Sequence, residues 1–372
     1  MKLLPHKTRQ SVLEIDLSAI LHNYQYFRSL VSESTKFVMV IKAFAYGAGI
    51  RHVAKLFEKE KVEYLAVACI DEGVELKDVG IEHEIMILNP EQEGLQKLIE
   101  YGLEPVIYSI ESLSVFLDSL KTFRSYHKPY PIHIKIDTGM HRLGFGEEEL
   151  LELLEVLLDT EAVKVKSVFS HLAASGDENF DEYTKSQVST FLKMTKQISE
   201  VLGYSIMRHI LNSGGIERFP DAQFEMVRLG IGLYGMSSNN AQLENVYRWK
   251  TQISQIKKIK KGESVSYNRS WTAKRDSVIA TLFIGYADGL NRGLGNENWH
   301  LKWKGIKVPI VGDICMDLCM VDITDIDAKV GDELVIFDHQ DEINEMAEKL
   351  KTINYEVLTN ISKRVRRAYI RG

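Results

Sequence analysis

Between about residues 35 and 235 the chain alternates short apolar runs with longer segments whose apolar residues recur at helical spacing. The apolar runs end near Lys42, Ala68, Leu88, Tyr108, Ile136, Phe169, Leu211 and Leu229. Their unbroken hydrophobicity is that of strands covered on both faces. Helical patterns lie between them, over 52–60, 72–78, 91–101, 147–158 and 183–201. Strand and helix alternating eight times in roughly 200 residues predicts a (β/α)8 barrel, a fold whose active sites lie at the C-terminal ends of the strands. Lys42 would end the first of these.

After about residue 236 the period changes. Segments 247–259, 277–284, 306–311, 319–323 and 334–337 read as strands, with turns at Lys261-Gly262, Lys304-Gly305 and Val330-Gly331 and one helix over 342–351. The expected organisation is an α/β chain with a barrel over 1–240 and a mainly β domain over 241–372. The run 11–16 is also strand-like and precedes the barrel, so the first ~15 residues are expected to pair with the β domain.

Composition narrows the function classes. The chain has 372 residues, 45% hydrophobic and 26% charged, enough for two cores, and a formal net charge of -6 that recruits neither nucleic acid nor anionic lipid. The basic tail of Lys363, Arg364, Arg366, Arg367 and Arg371 lacks the aromatic platform that single-strand binding needs and reads as a solvated strand end. No apolar stretch has signal-peptide or membrane-spanning form, so a cytoplasmic location is the expectation. Cys315 and Cys319 fall in an apparent strand, where four residues separate them by about 13 Å, too far for a disulfide. No short-spaced His/Cys cluster points to a metal.

Three segments carry candidate chemistry. In Val38-Met39-Val40-Ile41-Lys42-Ala43-Phe44-Ala45-Tyr46-Gly47-Ala48-Gly49 a lysine ends an apolar run and enters a glycine-bearing turn. Desolvation there would lower the ammonium pKa and leave a neutral amine able to attack a carbonyl. A solvated lysine capping a strand is the plain alternative. In Ile132-His133-Ile134-Lys135-Ile136-Asp137-Thr138-Gly139-Met140-His141-Arg142 a strand delivers charges to a turn, where Arg142 could hold an oxyanion or form a salt bridge with Asp137. In Met226-Val227-Arg228-Leu229-Gly230-Ile231-Gly232 an arginine inside an apolar strand precedes glycines that an anion could approach, though Gly-x-Gly also serves helix packing. With Asn212-Ser213-Gly214-Gly215 after the seventh strand, these supply a phosphate cradle opposite a desolvated lysine. That combination suits pyridoxal 5′-phosphate.

The motifs Lys42-Ala43-x-x-Tyr46-Gly47-x-Gly49, Asp137-Thr138-Gly139-Met140-x-Arg142-Leu143-Gly144 and Arg228-x-Gly230-Ile231-x-Leu233-Tyr234-Gly235 resemble alanine racemases. The likeness continues through Gly262-Glu263-Ser264-Val265-Ser266-Tyr267, Gly285-Tyr286-Ala287-Asp288-Gly289-x-x-Arg292, Cys315-Met316-Asp317 and Tyr355-Glu356, in order along nearly the whole chain. The resemblance implies two-base racemisation of L- and D-alanine with pyridoxal 5′-phosphate, supplying peptidoglycan. Racemisation of another small amino acid such as serine, or amino-acid decarboxylation on the same fold, is the alternative.

By the same resemblance Lys42 holds the cofactor and is one acid/base group, and Tyr267 is the other. Two groups on opposite faces of a planar carbanion are what inversion requires. His171 would tune the network, and Arg228 would face the pyridine nitrogen. Arg142 would contact the phenolic oxygen and the substrate. Tyr46, Asn212, Ser213, Gly230, Ile231 and Tyr355 would hold the cofactor, chiefly its phosphate. Lys135 matches a lysine that some members carbamylate. Met316 and Tyr286 would line the substrate entrance, contributed with Tyr267 across a homodimer. The chain departs from the common pattern at Phe44, Ala48, Ser266, Asp313 and Arg366.

Overall fold

Each of the eight apolar runs becomes one strand of a parallel barrel. The computed structural model describes residues 10–60, 62–122, 129–237 and 242–370. A first strand, β1 (Val12–Asp16), belongs to a different sheet. The barrel strands are β2 (Lys36–Val40), β3 (Tyr64–Val67), β4 (Glu84–Ile87), β5 (Glu104–Ile107), β6 (Tyr130–Lys135), β7 (Val163–Phe169), β8 (Met207–His209) and β9 (Met226–Leu229). Their spatial order is β9-β2-β3-β4-β5-β6-β7-β8. Every residue of β3, β5 and β9 is buried, as strands between an inner core and an outer ring of helices must be.

No ladder joins β8 to β9, and Arg228 bridges that seam. Its backbone N–H donates to the Leu211 carbonyl at 3.0 Å, and its guanidinium donates to the carbonyls of His209 and Ile210, both at 3.0 Å. One buried side chain thus both closes the barrel and reaches its interior.

The outer helices follow the apolar periodicity. The first, Leu17–Ser29, starts at Asp16, whose carboxylate accepts from the N–H groups of Ser18 and Ala19. The longest, Asp181–Leu202, stops at Gly203 with φ 72°, a left-handed cap that glycine adopts without strain.

The remaining strands are β10 (Tyr247–Ile259), β11 (Ser264–Val265), β12 (Trp271–Thr272), β13 (Ser277–Leu282), β14 (His300–Trp303), β15 (Ile306–Pro309), β16 (Cys319–Asp322), β17 (Glu333–Phe337) and β18 (Arg366–Ile370). The main sheet runs β15-β14-β17-β10-β1-β18, with β13 paired to both β10 and β16. β1 lies between β10, antiparallel, and β18, parallel. The chain therefore starts this sheet before entering the barrel, and the two units share a strand-to-helix junction at Asp16.

Two expectations change here. The basic tail is a solvated strand end only in part: Arg366 and Arg367 open β18, and Lys363 and Arg366 are exposed, but Arg367 donates to the carbonyls of Gly47 at 3.0 Å and Ile361 at 2.6 Å, while Arg364 pairs with Asp288 and Asp317. Arg371 lies outside the described residues. Cys315 sits in a turn before β16 rather than in a strand, its N–H donating to the Leu318 carbonyl, and all three cysteines are free thiols. Among the described residues no helix is long and apolar enough to cross a membrane, and no group of metal-ligating side chains clusters.

Candidate active site

Lys42 stands at the end of the first barrel strand, where the backbone winds the wrong way. Ala43, Phe44, Ala45 and Tyr46 have φ of 52°, 57°, 53° and 51°. One left-handed turn of non-glycine residues costs about 1–2 kcal/mol per residue, so surrounding contacts must hold it. Several do. Glu72 accepts from the Phe44 N–H at 3.1 Å and the Ala68 N–H at 2.9 Å, stapling the ends of two neighbouring strands. From the β domain, the Tyr247 hydroxyl donates to the Tyr46 carbonyl at 2.9 Å, Arg367 to that of Gly47, and the Tyr369 hydroxyl to that of Ala48 at 2.9 Å. A side chain at Gly49 would collide with the Tyr369 hydroxyl, 2.0 Å from the added carbon. The unusual Phe44 ring lies 4.7 Å from the Lys363 ammonium and 5.4 Å from the Arg367 guanidinium, which gives that residue a cation–π role.

Lys42 is half-buried within a cluster of cations. Desolvation lowers its pKa first, then repulsion from Arg142, with Glu72 opposing and Arg228 adding to the fall. Lys135, 7% exposed, is pushed down to about 8 by burial and by Arg142, Arg228 and Lys42. Burial brings Arg228 down to about 9, still protonated at neutral pH. Burial and the same cations hold His171 neutral; its Nδ1 lies 3.3 Å from Arg228 Nη2 and must accept, which leaves the proton on Nε2. Arg142 does not pair with Asp137. That carboxylate is occupied by the N–H groups of Gly139 and His141 and by the His141 ring, while Arg142 stays exposed at the rim.

A second group of residues forms a cradle beside this cluster. Ser213 Oγ, 5% exposed, accepts from the N–H groups of Gly230 and Gly232, both at 3.2 Å. A Cβ at Gly230 would lie 2.8 Å from the Tyr46 hydroxyl, so only glycine lets the two approach. Tyr46 stacks obliquely on Tyr355, with ring centroids 5.9 Å apart, and Ile231 is buried alongside. Asn212 has a supporting place: its amide oxygen accepts from Gly215 N–H at 2.9 Å and Ser175 Oγ at 2.6 Å, fixing the turn that presents Ser213.

Tyr267, Met316 and Tyr286 stand apart from this barrel site. They are 66%, 55% and 43% exposed, and among the described residues no hydrogen bond, ion pair or ring contact joins Tyr267 to Lys42, Arg142 or His171. Tyr267 tips the β11–β12 hairpin between residues of positive φ, Ser266 at 72° and Asn268 at 55°. Ser266 Oγ donates to the Asp313 carbonyl at 2.7 Å, so two of the departures from the common pattern hold each other. Tyr286 N–H donates to the Cys315 carbonyl at 3.0 Å, which sets it beside Met316.

The barrel residues suit an anion with an electrophilic carbon. Four basic side chains, Lys42, Lys135, Arg142 and Arg228, converge with Glu72 and Asp137 as the nearby carboxylates. Among the described residues Arg228 Nε has no protein acceptor, so one fixed N–H remains available. Glu72, Tyr247 and Tyr369, which the sequence does not single out, and Arg367, which it places only in the basic tail, act on the backbone around Lys42. Their signal in the sequence is weak, because Glu72, Tyr247 and Tyr369 are polar residues in segments of ordinary composition and Arg367 is one of several neighbouring arginines.

Together these features define a (β/α)8 barrel with an appended β domain, built to hold an anionic cofactor against an activated lysine. The chain belongs to the alanine racemase family. The family model described as alanine racemase, N-terminal domain, matches residues 15–238, and that for the C-terminal domain matches 246–369. Alanine racemase 2 of Caldanaerobacter subterraneus subsp. tengcongensis is 39% identical across 97% of this chain and 95% of its own length. The solved alanine racemase of Clostridium difficile 630 superposes with a TM-score of 0.91 at 37% identity, covering 98% of this chain and 96% of that one. That of Bartonella henselae, solved with covalently bound pyridoxal phosphate, gives 0.87 at 32% identity over 97% and 99%.

Proposed function

We propose that the chain interconverts L- and D-alanine with pyridoxal 5′-phosphate, and that the D-alanine supplies peptidoglycan from the cytoplasm. The observation that carries this reading is a half-buried lysine with a depressed pKa at a barrel strand end, facing Arg142 and Arg228 and flanked by the Ser213–Gly230–Tyr46 cradle. When bound, the cofactor supplies an electron sink that acidifies the Cα–H of the amino acid.

The residues divide the work as follows. Lys42, whose pKa desolvation and Arg142 lower, would attach the cofactor and would move the Cα proton on one face. Ser213, Gly230, Ile231, Tyr46 and Tyr355 hold the phosphate, with Asn212 supporting. Arg228 would face the pyridine nitrogen and, staying protonated near neutral pH, would keep a proton off that nitrogen, so that the ring would serve as a restrained sink. Arg142 neutralises the phenolic oxygen and the substrate carboxylate at the rim. His171, held neutral, passes its Nε2–H toward the second acid/base group.

That second group is Tyr267, and it comes from another copy of the chain. Racemisation needs a proton donor on the face opposite Lys42. Within one chain Tyr267 is exposed and, among the described residues, unconnected to Lys42, so a head-to-tail homodimer, each β domain closing the partner's barrel with Tyr267, Tyr286 and Met316, supplies the missing face. The test is chiral analysis of alanine after incubation of the purified protein with and without pyridoxal phosphate. Cofactor-dependent equalisation of both enantiomers, lost in Lys42→Ala, is expected; full activity of Lys42→Ala would defeat the proposal.

A further inference from the structure

Beyond Arg228, a line of buried polar side chains descends the barrel interior across five neighbouring strands. His209 Nδ1 lies 2.9 Å from Arg228 Nη1, and His209 Nε2 lies 3.0 Å from Ser167 Oγ. Ser167 Oγ is 2.7 Å from His133 Nδ1, whose Nε2 is 2.8 Å from Glu104 Oε2. His133, Ser167 and His209 are fully buried and Glu104 is 3% exposed. The Tyr64 ring packs edge-on against His133, with centroids 5.3 Å apart.

Arg228 at one end, which can only donate, and the Glu104 carboxylate at the other, which accepts, set the direction of the bonds in this line. A guanidinium can only donate, so His209 Nδ1 accepts and the imidazole, held neutral by burial and by Arg228, carries its proton on Nε2. Nε2–H then donates to Ser167 Oγ. The serine proton goes to its other partner, His133 Nδ1. His133 is left with Nε2–H, which donates to the Glu104 carboxylate. Among the described residues Arg228 forms no ion pair; its acceptors are carbonyls and imidazoles, and Glu104 is the carboxylate to which its chain of oriented dipoles leads.

We propose that Glu104, His133, Ser167 and His209 form one positioning relay that fixes the direction in which Arg228 donates into the cavity and gives its buried charge a counter-ion at the far end of the barrel. This rests on the reading above, in which Arg228 faces the cofactor's ring nitrogen. Apolar side chains would fill the same space without the desolvation cost of four buried polar groups, which a fully satisfied and directed network offsets. The relay belongs at Arg228 because that residue sets how strongly the ring draws electrons, and so whether the substrate proton returns to Cα or elsewhere.

The test joins nitrogen NMR of the imidazoles, on the cofactor-free protein, with the fate of alanine in the loaded protein. In the unsubstituted protein His209 and His133 are both expected as Nε2–H tautomers. Ser167→Ala should leave both tautomers in place, held by Arg228 at one end and Glu104 at the other, while the His133 Nδ1 resonance shifts as it loses its hydrogen bond. It should lower kcat about tenfold with KM nearly unchanged, the usual scale for removing a group that orients a working one. Pyruvate formed per racemisation, as the alanine amino group passes to the cofactor, should rise severalfold. Glu104→Gln, which keeps an acceptor for His133 but loses the charge, should raise the pyruvate ratio less. An Nδ1–H tautomer at His209, or Ser167→Ala protein with an unaltered pyruvate ratio whatever its melting temperature, would overturn the relay. Absence of racemisation by the unsubstituted protein would instead remove the proposed function, leaving the tautomers to decide the relay on their own.

Discussion

Replacing Glu72 with Gln perturbs two things at once, and they separate in one experiment. The carboxylate accepts from the Phe44 and Ala68 N–H groups and is the acidic group that opposes the fall in the Lys42 pKa. An amide has one oxygen, so one of the two N–H groups loses its acceptor and faces a donor; a hydrogen bond to a charged group contributes about 1.5–3 kcal/mol. The left-handed turn it steadies carries roughly 4–8 kcal/mol of backbone strain over its four residues. A loss of about 2–3 kcal/mol is therefore expected, enough to loosen the turn and displace Lys42; a misplacement of about 1 Å can cost ~100-fold in rate.

The charge acts in the other direction. Without the carboxylate, protonated Lys42 is less favoured and its pKa falls further. The assay is the rate at which cofactor-free protein captures pyridoxal phosphate, measured against pH, because only the neutral amine attacks. In Glu72→Gln the midpoint of that profile should move to lower pH while its plateau falls and the melting temperature drops. A midpoint that moves to higher pH or stays put, or an unchanged melting temperature, would refute the reasoning.

Other substitutions test other contacts. Tyr267→Phe should abolish racemisation in both directions while one enantiomer alone still exchanges its Cα proton in deuterium oxide, because a base remains on one face only; exchange of both enantiomers would contradict this. Lys135, with its pKa near 8 in the fold against 10.5 for a freely solvated lysine, is penalised while protonated, so it lowers stability below about pH 8 and that penalty fades as pH rises toward 10.5. Lys135→Met should flatten this part of the stability profile by up to about 3 kcal/mol in comparative unfolding. The neutral amine should also bind carbon dioxide, giving a carbamate carbon signal with labelled bicarbonate that Lys135→Met lacks. Tyr247→Phe removes the hydroxyl that donates to the Tyr46 carbonyl and should lower stability by about 1–3 kcal/mol and weaken cofactor retention, read by thermal unfolding and dialysis.

The barrel was legible because each of its strands is an unbroken apolar run and each connection keeps a helical period. All eight runs, from the one before Lys42 to the one ending at Leu229, emerged as strands. The mainly β half was read less fully. β14 (His300–Trp303) mixes charged, apolar and aromatic residues, and β18 opens on two adjacent arginines, so alternation is faint in both.

The turn after Lys42 could not be read locally. Gly47 and Gly49 announce a turn, but nothing in Ala43-Phe44-Ala45-Tyr46 favours left-handed backbone; tertiary contacts from Tyr247, Arg367 and Tyr369, some 200 to 320 positions away, impose it. The line behind Arg228 was hidden for a similar reason. His133 shares the inward alternation of Lys135 two residues on, yet its partners Glu104, Ser167 and His209 lie on separate strands, and spacing along the chain carries no trace of their meeting.

The central claim is that each site joins Lys42 of one chain to Tyr267 of another. The direct measurement is complementation between two inactive variants, Lys42→Ala and Tyr267→Phe, unfolded together and refolded with cofactor. In a mixed dimer one site pairs both defects and the other pairs intact Lys42 with intact Tyr267, so random assortment should restore about a quarter of the original racemase activity. Mixtures that stay as inactive as the separate variants would contradict a site built from two chains.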